Sequence, residues 1–491
     1  MPGFAFPPGQ YLAVTSRLAL GRGGQTAMFL LRNRLFAEQA GITPTLLSFD
    51  DQPDYPHIRA ELAAAGQIAP STVILNLFEW LRNEPPPLAP DQAPPLPDPV
   101  DLDRTDQPHP DGTVHLSSYS KGTAVMTDYR RADGSVYLRR SSQGLLLADR
   151  NNRVVRRFGG LGALRRWWVT GLFDPDPSTP VFVVSDSRFA LRHLVPLAHQ
   201  EQVRLIHVVH NIHVLEPYHP DSEPHPTHLP VLEAIPQLSA LVTLTGRQRE
   251  DIVRRFDTAD NVYVIPNPVT EPSVGDEKAR QAQRFVMIGR LERQKQIEDA
   301  VRAFATVVAE EPGATLDIYG EGSLREELQN QLRTSGLEHA VRLRGYDAAA
   351  KEQLHTATAL LLTSRFEGYP LVVLEALARG CPVIAYDIAY GPREQVRSAG
   401  FLVRPGDTGE LADQMLRLVR DPDLLARLST AARAEAGTHS VQQYLRDWQT
   451  LLHRVASEEH GQEGDDDQGA DDADGDRAEA AEAVGEEEEH D

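Results

Sequence analysis

Between Leu360 and Pro392 the chain has little choice of fold. Ala359 to Leu362 is a short, wholly apolar run of the kind that forms a strand buried on both faces. Val383 to Ala385, with its β-branched pair, is a second. One helix fits between them. Pro370 suits its first turn, where a missing N–H costs nothing, and Gly380 suits the position just past its end. Strand, helix and strand in this order make a parallel unit. Its helix start presents the backbone N–H groups of Leu371 and Val372 above the carboxyl edge of the sheet, a place suited to an anion such as a diphosphate. Glu367, in the loop before the helix, and Glu375, inside it, would repel that anion unless each has another task, such as binding sugar or ribose hydroxyls.

Two further stretches share this logic. Arg284 to Lys295 reads as a strand, a turn at Gly289 and two cations, Arg290 and Lys295, five residues apart and able to face one anion. Ile318 to Gly322 is another strand that ends in a glycine turn. With Glu367-Gly368-Tyr369-Pro370 and Glu375-Ala376, these motifs resemble the donor-binding half of retaining nucleotide-sugar glycosyltransferases of the GT-B architecture. The resemblance implies roles. Arg290, Lys295 and the helix start after Pro370 would stabilise the leaving diphosphate without a metal or other cofactor. Glu367 would bind sugar hydroxyls and place the anomeric carbon, and Glu375 would hold the ribose. Gly289, Asn267, Tyr346, Gly368, Tyr369, Pro370, Leu371 and Val372 would complete the nucleotide-sugar site.

At 491 residues the chain has room for about three domains. A single cysteine, Cys381, excludes an internal disulfide, and seventeen histidines without a cysteine partner pattern give no zinc signature. The first twenty residues lack a basic start followed by an apolar core, and no run of eighteen apolar residues occurs, so a cytoplasmic protein is expected, with at most peripheral membrane contact. The formal charge of −22 is unevenly spread. Residues 457–491 hold 17 Asp or Glu against one Arg, a net −16, which leaves −6 for the rest. That tail should be disordered and solubilising.

Along the chain, Gln10 to Thr15 reads as a first parallel strand, followed by the glycine-rich turn Gly21 to Gly24 and a helical pattern to Ala40. By the GT-B resemblance, Gly23 and Gly24 face the donor diphosphate. Thr43 to Phe49 reads as a strand, Thr72 to Arg82 as a helix, and the proline- and aspartate-rich run Glu84 to Pro110 as a linker without an element. Short alternating segments from Thr113 to Phe158, joined at Ala132-Asp133-Gly134 and Asp149 to Asn152, carry hairpin signals and predict an antiparallel insertion. Parallel-type strands resume at Val181 to Val184 and Arg204 to Val209. The latter ends in His210-Asn211-Ile212-His213, a cluster that resembles the family motif in which a histidine, here His210, touches the transferred sugar. His219, His225 and His228 follow in a proline-rich loop read as a cleft lid.

The expected fold is α/β: two doubly wound domains facing a cleft, residues 1–83 with 180–268 and residues 269–436. A linker and β insertion occupy 84–179, a helix at 437–456 packs back on the first domain, and the tail spans 457–491. Residues 111–168 hold 11 Lys or Arg and 4 Asp or Glu, a net +7, and Arg139, Arg140, Arg156 and Arg157 are expected to bind a polyanionic acceptor. The insertion and the run Tyr386 to Pro392 are similar to those of the α-glycosyltransferases that decorate poly(glycerol-phosphate) or poly(ribitol-phosphate) teichoic acid. They are also similar to those of the enzymes that place N-acetylglucosamine on serine-rich proteins. The function implied is retaining transfer of a hexose or N-acetylhexosamine from a UDP-sugar to such a polymer. A serine-rich protein acceptor, or a catalytically silent companion subunit, is the alternative. Homo-oligomer formation through the insertion is a further partner expectation, and nucleic acid is not. A nicotinamide-dependent oxidoreductase is disfavoured because no Gly-x-Gly-x-x-Gly opens the first helix.

Overall fold

The structure, a computed structural model, describes residues 3–19, 21, 23–51, 54–83, 93–108, 113–121, 123–270 and 280–457. The chain divides into two compact units, one of Met1–Val208, Pro226–Leu241 and Leu451–Asp491, the other of Val209–His225 and Val242–Thr450.

In the second unit six strands form a parallel sheet in the order Val341–Gly345, Thr315–Tyr319, Arg284–Ile288, Ala359–Leu362, Val383–Tyr386, Gly400–Val403. In chain order this is 3-2-1-4-5-6, the doubly wound arrangement, whose direction of winding switches between Arg284–Ile288 and Ala359–Leu362. Successive strand residues point to opposite faces. Phe285, Leu361 and Ile384 therefore pack with Val301 and Phe304 of the helix Ile297–Glu310 on one side. Val286, Leu360 and Val383 pack with Val373 and Leu377 of the helix Leu371–Ala378 on the other. Burial of both faces is why these strands read as unbroken apolar runs.

A second sheet has the order Val262–Val264, Ala240–Thr243, Val203–Val209, Val181–Ser185, Gln10–Val14, Thr45–Ser48, Val73–Asn76. Its pairings from Val203–Val209 through Val73–Asn76 are parallel, and its winding switches between Gln10–Val14 and Val181–Ser185. At that switch, in the first unit, Arg32 of the helix Gly24–Gln39 makes a fully buried two-pronged pair with Asp186, at 2.9 Å from Nη1 to Oδ1 and 2.5 Å from Nη2 to Oδ2. The two charges at this sheet edge thus neutralise one another.

Between the third and fourth strands of this sheet the chain makes a six-stranded antiparallel meander: Asp103–Pro108, Val114–Lys121, Thr123–Arg130, Val136–Ser141, Gly144–Ala148 and Val154–Phe158. Two of its turns, between Thr123–Arg130 and Val136–Ser141 and between Gly144–Ala148 and Val154–Phe158, lie where the hairpin signals placed them. Asp133 accepts from the Ser135 N–H at 2.9 Å, and Asp149 accepts from those of Asn151 and Arg153 at 2.9 and 2.8 Å. Trp168 is buried against Phe49 and Trp80, a core residue of the first unit.

Two expectations need correction. Thr72 to Arg82 is not one helix: Val73–Asn76 is a strand paired with Thr45–Ser48, and only Leu77–Asn83 is helical. A run of three apolar residues and an amide fits either period, and the pairing with Thr45–Ser48 decides for the strand. The proline-rich run also contains an element, since Asp103–Pro108 pairs along Val114–Lys121. It is an edge strand with every side chain exposed, the one place in a sheet where charges and proline are tolerated.

The last helix is Val441–Ser457. Its residues from Leu451 belong to the first unit, where Arg204 Nε donates to the Val455 carbonyl at 2.7 Å. The acidic tail beyond it, residues 458–491, lies outside the described residues, as do residues 84–92 and 109–112 of the linker and insertion. Among the described residues no helix is long and apolar enough to cross a membrane.

Candidate active site

The switch point of the six-stranded sheet brings together the loops that leave Arg284–Ile288 and Ala359–Leu362. Gly289 donates its N–H to the Tyr319 carbonyl at 3.0 Å. Gly320, at φ +142°, packs so closely that a Cβ would lie 1.8 Å from the Gly289 oxygen. Two glycine turns therefore meet backbone to backbone. Beyond them Arg290 is half-buried, with Nη2 3.3 Å from Gln294 Oε1. Gln294 ties the two loops: its side chain donates to the Phe366 carbonyl at 3.1 Å, and its own carbonyl accepts from the Arg365 N–H at 2.7 Å.

Lys295 and Glu367 are in contact. Lys295 Nζ lies 2.7 Å from Glu367 Oε1, which also accepts from the Ser364 hydroxyl at 2.7 Å. A bond between an ammonium and a carboxylate at this distance is of the strong, charge-assisted kind. Both bonds fall on Oε1, so Oε2 carries neither, and Lys295 keeps two of its three N–H donors for other acceptors. The pair thus offers a cation and a carboxylate oxygen side by side, groups whose chemistry suits a phosphate oxygen and a sugar hydroxyl respectively. Ser364 and Gln294 were not singled out from sequence: Gln294 acts through Phe366, 72 positions away, and Ser364 bonds Glu367 three positions on within an irregular loop that no helical or strand period describes.

The helix Leu371–Ala378 starts one residue later than Pro370 would imply. Pro370 is its cap, with ψ 112°, rather than part of its first turn. Leu371 and Val372 still stand at the start, half-buried, where N–H groups have no partner within the helix. Gly380 closes the far end at φ +63°, and Cys381 N–H returns to the Ala376 carbonyl at 2.8 Å. Glu375 is half-buried in the middle of the helix. Tyr346 is 75% exposed just past its strand, and Asn267 is buried.

Tyr369 departs from expectation as a ligand contact. Its ring is buried and its hydroxyl lies 3.2 Å from His439 Nδ1, so the side chain is built into the unit and only its backbone lies along the site. Burial raises its phenol pKa far above the ordinary value and lowers that of His439 to about 4.

His210 follows the strand Val203–Val209, and residues 209–225 cluster with the second unit. Its carbonyl sits against Gly368: a Cβ there would lie 1.9 Å from the His210 oxygen. The next carbonyl, of Asn211, accepts from Gln248 Nε2 at 2.8 Å. His210 and the Glu367 loop are therefore neighbours, and glycine at 368 is what permits the approach.

Residues 275–435, which contain both loops, match the family of glycosyl transferases group 1. This stretch is a group 1 glycosyltransferase domain. The chain is 32% identical over 226 residues to the exopolysaccharide phosphotransferase SCO2592 of Streptomyces coelicolor, covering 45% of this chain and 24% of that protein. It is 27% identical over 300 residues to the poly(glycerol-phosphate) alpha-glucosyltransferase of Bacillus subtilis, covering 60% and 43%. The match thus spans less than half the length of either relative. Among solved structures, a mutant of S. aureus TarM in complex with fondaparinux, α-GlcNAc-glycerol and UDP superposes with a TM-score of 0.70 at 19% identity, over 90% of this chain and 99% of that one. That likeness shows the fold, which is GT-B.

Outside the group 1 domain the remaining expected residues fall out differently. Gly23 caps the helix Gly24–Gln39 with open space around it, so no close approach requires glycine there. Arg139 departs from an acceptor-binding role: it is buried, with Nε and Nη2 at 2.6 and 2.8 Å from the two carboxylate oxygens of Asp128, and also bonds the Pro97 carbonyl. Arg140 is half-buried and bonded to Tyr129. Arg156 and Arg157 are exposed, with Arg156 over the rings of Phe158 and Trp167. Two of the four arginines thus face solvent on the strand Val154–Phe158. Among the described residues no cluster of three or more His, Cys, Asp or Glu is arranged to hold a metal.

Proposed function

We propose that the chain is a retaining glycosyltransferase that moves a hexose or N-acetylhexosamine from a UDP-sugar to a hydroxyl of a poly(polyol-phosphate) acceptor. The observation that carries this reading is the Lys295–Glu367 contact at the switch point of a group 1 domain, beside the His210 carbonyl. The poly(glycerol-phosphate) relative supports the polymer, and UDP in the TarM complex supports the nucleotide.

In this mechanism Lys295 and Arg290, with the N–H groups that begin the helix Leu371–Ala378, take up the negative charge that gathers on the diphosphate as its bond to the sugar breaks. Glu367 Oε2 accepts from sugar hydroxyls, and Glu375 from the ribose. His210, held by its backbone, contacts the sugar. The acceptor hydroxyl attacks from the face the leaving group departs, so the anomeric configuration is retained without an enzymic nucleophile. Arg156 and Arg157 meet phosphates of the acceptor.

The test is a screen of UDP-sugars with poly(glycerol phosphate) and, separately, a serine-rich peptide, read as UDP release and sugar incorporation. Transfer to the polymer supports the proposal. Transfer to the peptide alone moves the acceptor to protein, and absence of both donor hydrolysis and transfer points to a silent companion subunit.

A further inference from the structure

Tyr390 takes no part in the chemistry above, yet contacts of different kinds converge on it. Its N–H donates to the Glu367 carbonyl at 2.8 Å, and the Glu367 N–H donates to the Ala389 carbonyl at 3.3 Å, a reciprocal pair that fastens its loop to the catalytic one. Its ring, 2% exposed, lies parallel to the imidazole of His213, with centroids 5.9 Å apart and planes 6° from each other. Its hydroxyl donates to Asp251 Oδ2 at 2.8 Å. Ile212 and Val214, on either side of His213, share an apolar cluster with Tyr390, and Phe366 packs against it.

The short helix that follows, Pro392–Val396, holds its neighbours. Glu394 accepts from the N–H groups of Gly246 and Arg247 at 2.8 and 2.9 Å, at the start of the helix that carries Asp251. That helix in turn reaches back through Gln248 to the Asn211 carbonyl. His213 is fully buried with neither ring nitrogen hydrogen-bonded. Burial, and then Arg255, lower its pKa to about 4, so it is neutral and contributes a flat ring rather than a charge. An imidazole in that condition calls for an explanation. The stack on Tyr390, three residues from the point where the His210 carbonyl meets Gly368, supplies one.

We infer that Tyr390 is a positioning residue, a clasp that holds the His210 segment against the Glu367 loop so that both meet the donor sugar as one rigid pair. The inference rests on the donor reading above for its meaning, but the clasp can be tested without activity. Amide hydrogen exchange followed by mass spectrometry should show residues 209–216 and 365–370 exchanging faster together, by about tenfold or more, in Tyr390→Ala, as expected when one cooperative unit loosens. His213→Phe, which keeps a flat ring, should leave both unchanged. Faster exchange at 209–216 alone, or at neither, overturns the clasp.

Kinetics give the second readout. Per UDP-binding site counted by calorimetry, Tyr390→Ala should lower kcat by roughly 10- to 100-fold, the scale of a misplaced contact, while UDP affinity stays within about twofold. Unchanged kcat per site would leave Tyr390 a merely structural residue. Should Tyr390→Ala fail to fold, Tyr390→Phe and Asp251→Asn form a cycle. The clasp requires the double variant to be no slower than either single one, and additive losses contradict it. If the wild-type chain turns over no UDP-sugar, the donor reading fails, and the exchange measurement still decides the clasp.

Discussion

Lys295 reaches Glu367 across 72 positions of sequence. On the proposed mechanism, removing its ammonium takes away a charge that meets the developing diphosphate. Lys295→Ala and Arg290→Ala are each expected to lose about 3 kcal/mol of transition-state stabilisation, a fall in kcat of roughly 150-fold. Steady-state UDP release checks this, and near wild-type turnover in either folded variant contradicts it. Gly368→Ala puts a methyl group where the His210 carbonyl now lies and should destabilise the second unit by about 1–3 kcal/mol, measurable by urea unfolding. His213 makes stability depend on pH. Its pKa of about 4 in the folded chain is below the 6.5 of the free group, so the stability it confers is fully present above about pH 6.5 and is lost as pH falls toward 4. Between pH 7 and pH 5 wild type should lose about 2 kcal/mol more than His213→Phe, and equal losses would show that His213 is not buried neutral. Glu367, Lys295 and His210 stood out in the sequence because each lies in a segment that follows a strand end and matches a motif of the resembled family. The contacts of Tyr390 and the inward turns of Tyr369 and Arg139 did not, because each depends on a partner that only the folded chain supplies: Asp251, His439 and Asp128.

At the scale of elements, Arg284–Ile288, Ala359–Leu362 and Val383–Tyr386 were read to within a residue or two, since burial of both faces leaves an apolar run, whereas Val341–Gly345, with Arg342 and Arg344 exposed, carries no such run and was not read. Ala359–Leu362 falls where its composition placed it. Val73–Asn76 was read as helix because four apolar or amide residues ahead of Leu77-Phe78 satisfy a helical period as well, and only pairing with Thr45–Ser48 breaks the tie. Asp103–Pro108 was missed because an exposed edge strand has neither alternation nor apolar content. The switch point of the other sheet holds a feature no local pattern announces, the Arg32–Asp186 pair, formed across 154 positions. Asp186→Ala leaves a guanidinium buried beside an empty space and should cost about 3–5 kcal/mol in urea unfolding. Replacing both partners with apolar residues of similar volume should cost much less. A loss below about 1 kcal/mol for Asp186→Ala would mean that Arg32 finds other partners.

For the whole molecule, the net +7 counted over residues 111–168 already includes the cancellation of Arg139 by Asp128, so the field an acceptor meets comes from other cations, Arg156 and Arg157 among them. Arg156→Glu with Arg157→Glu should therefore weaken polymer modification at low salt and leave donor hydrolysis in place, the attraction being screened as ionic strength rises. Arg139→Glu should instead unfold the insertion by setting two carboxylates together. Normal polymer modification by the double variant at low salt would remove the acceptor role from this strand. If Arg290 and Lys295 carry the phosphate charge as proposed, EDTA is expected to leave turnover intact, and complete loss restored by Mg²⁺ would show that those two cations do not suffice. The most direct test of the central claim is the anomeric configuration of the product, read by NMR after incubating the purified chain with an α-linked UDP-sugar and a glycerol-phosphate oligomer. The account predicts an α-linked sugar on the oligomer, absent with Lys295→Ala. A β-linked product, or α-linked product formed equally by that variant, would contradict it.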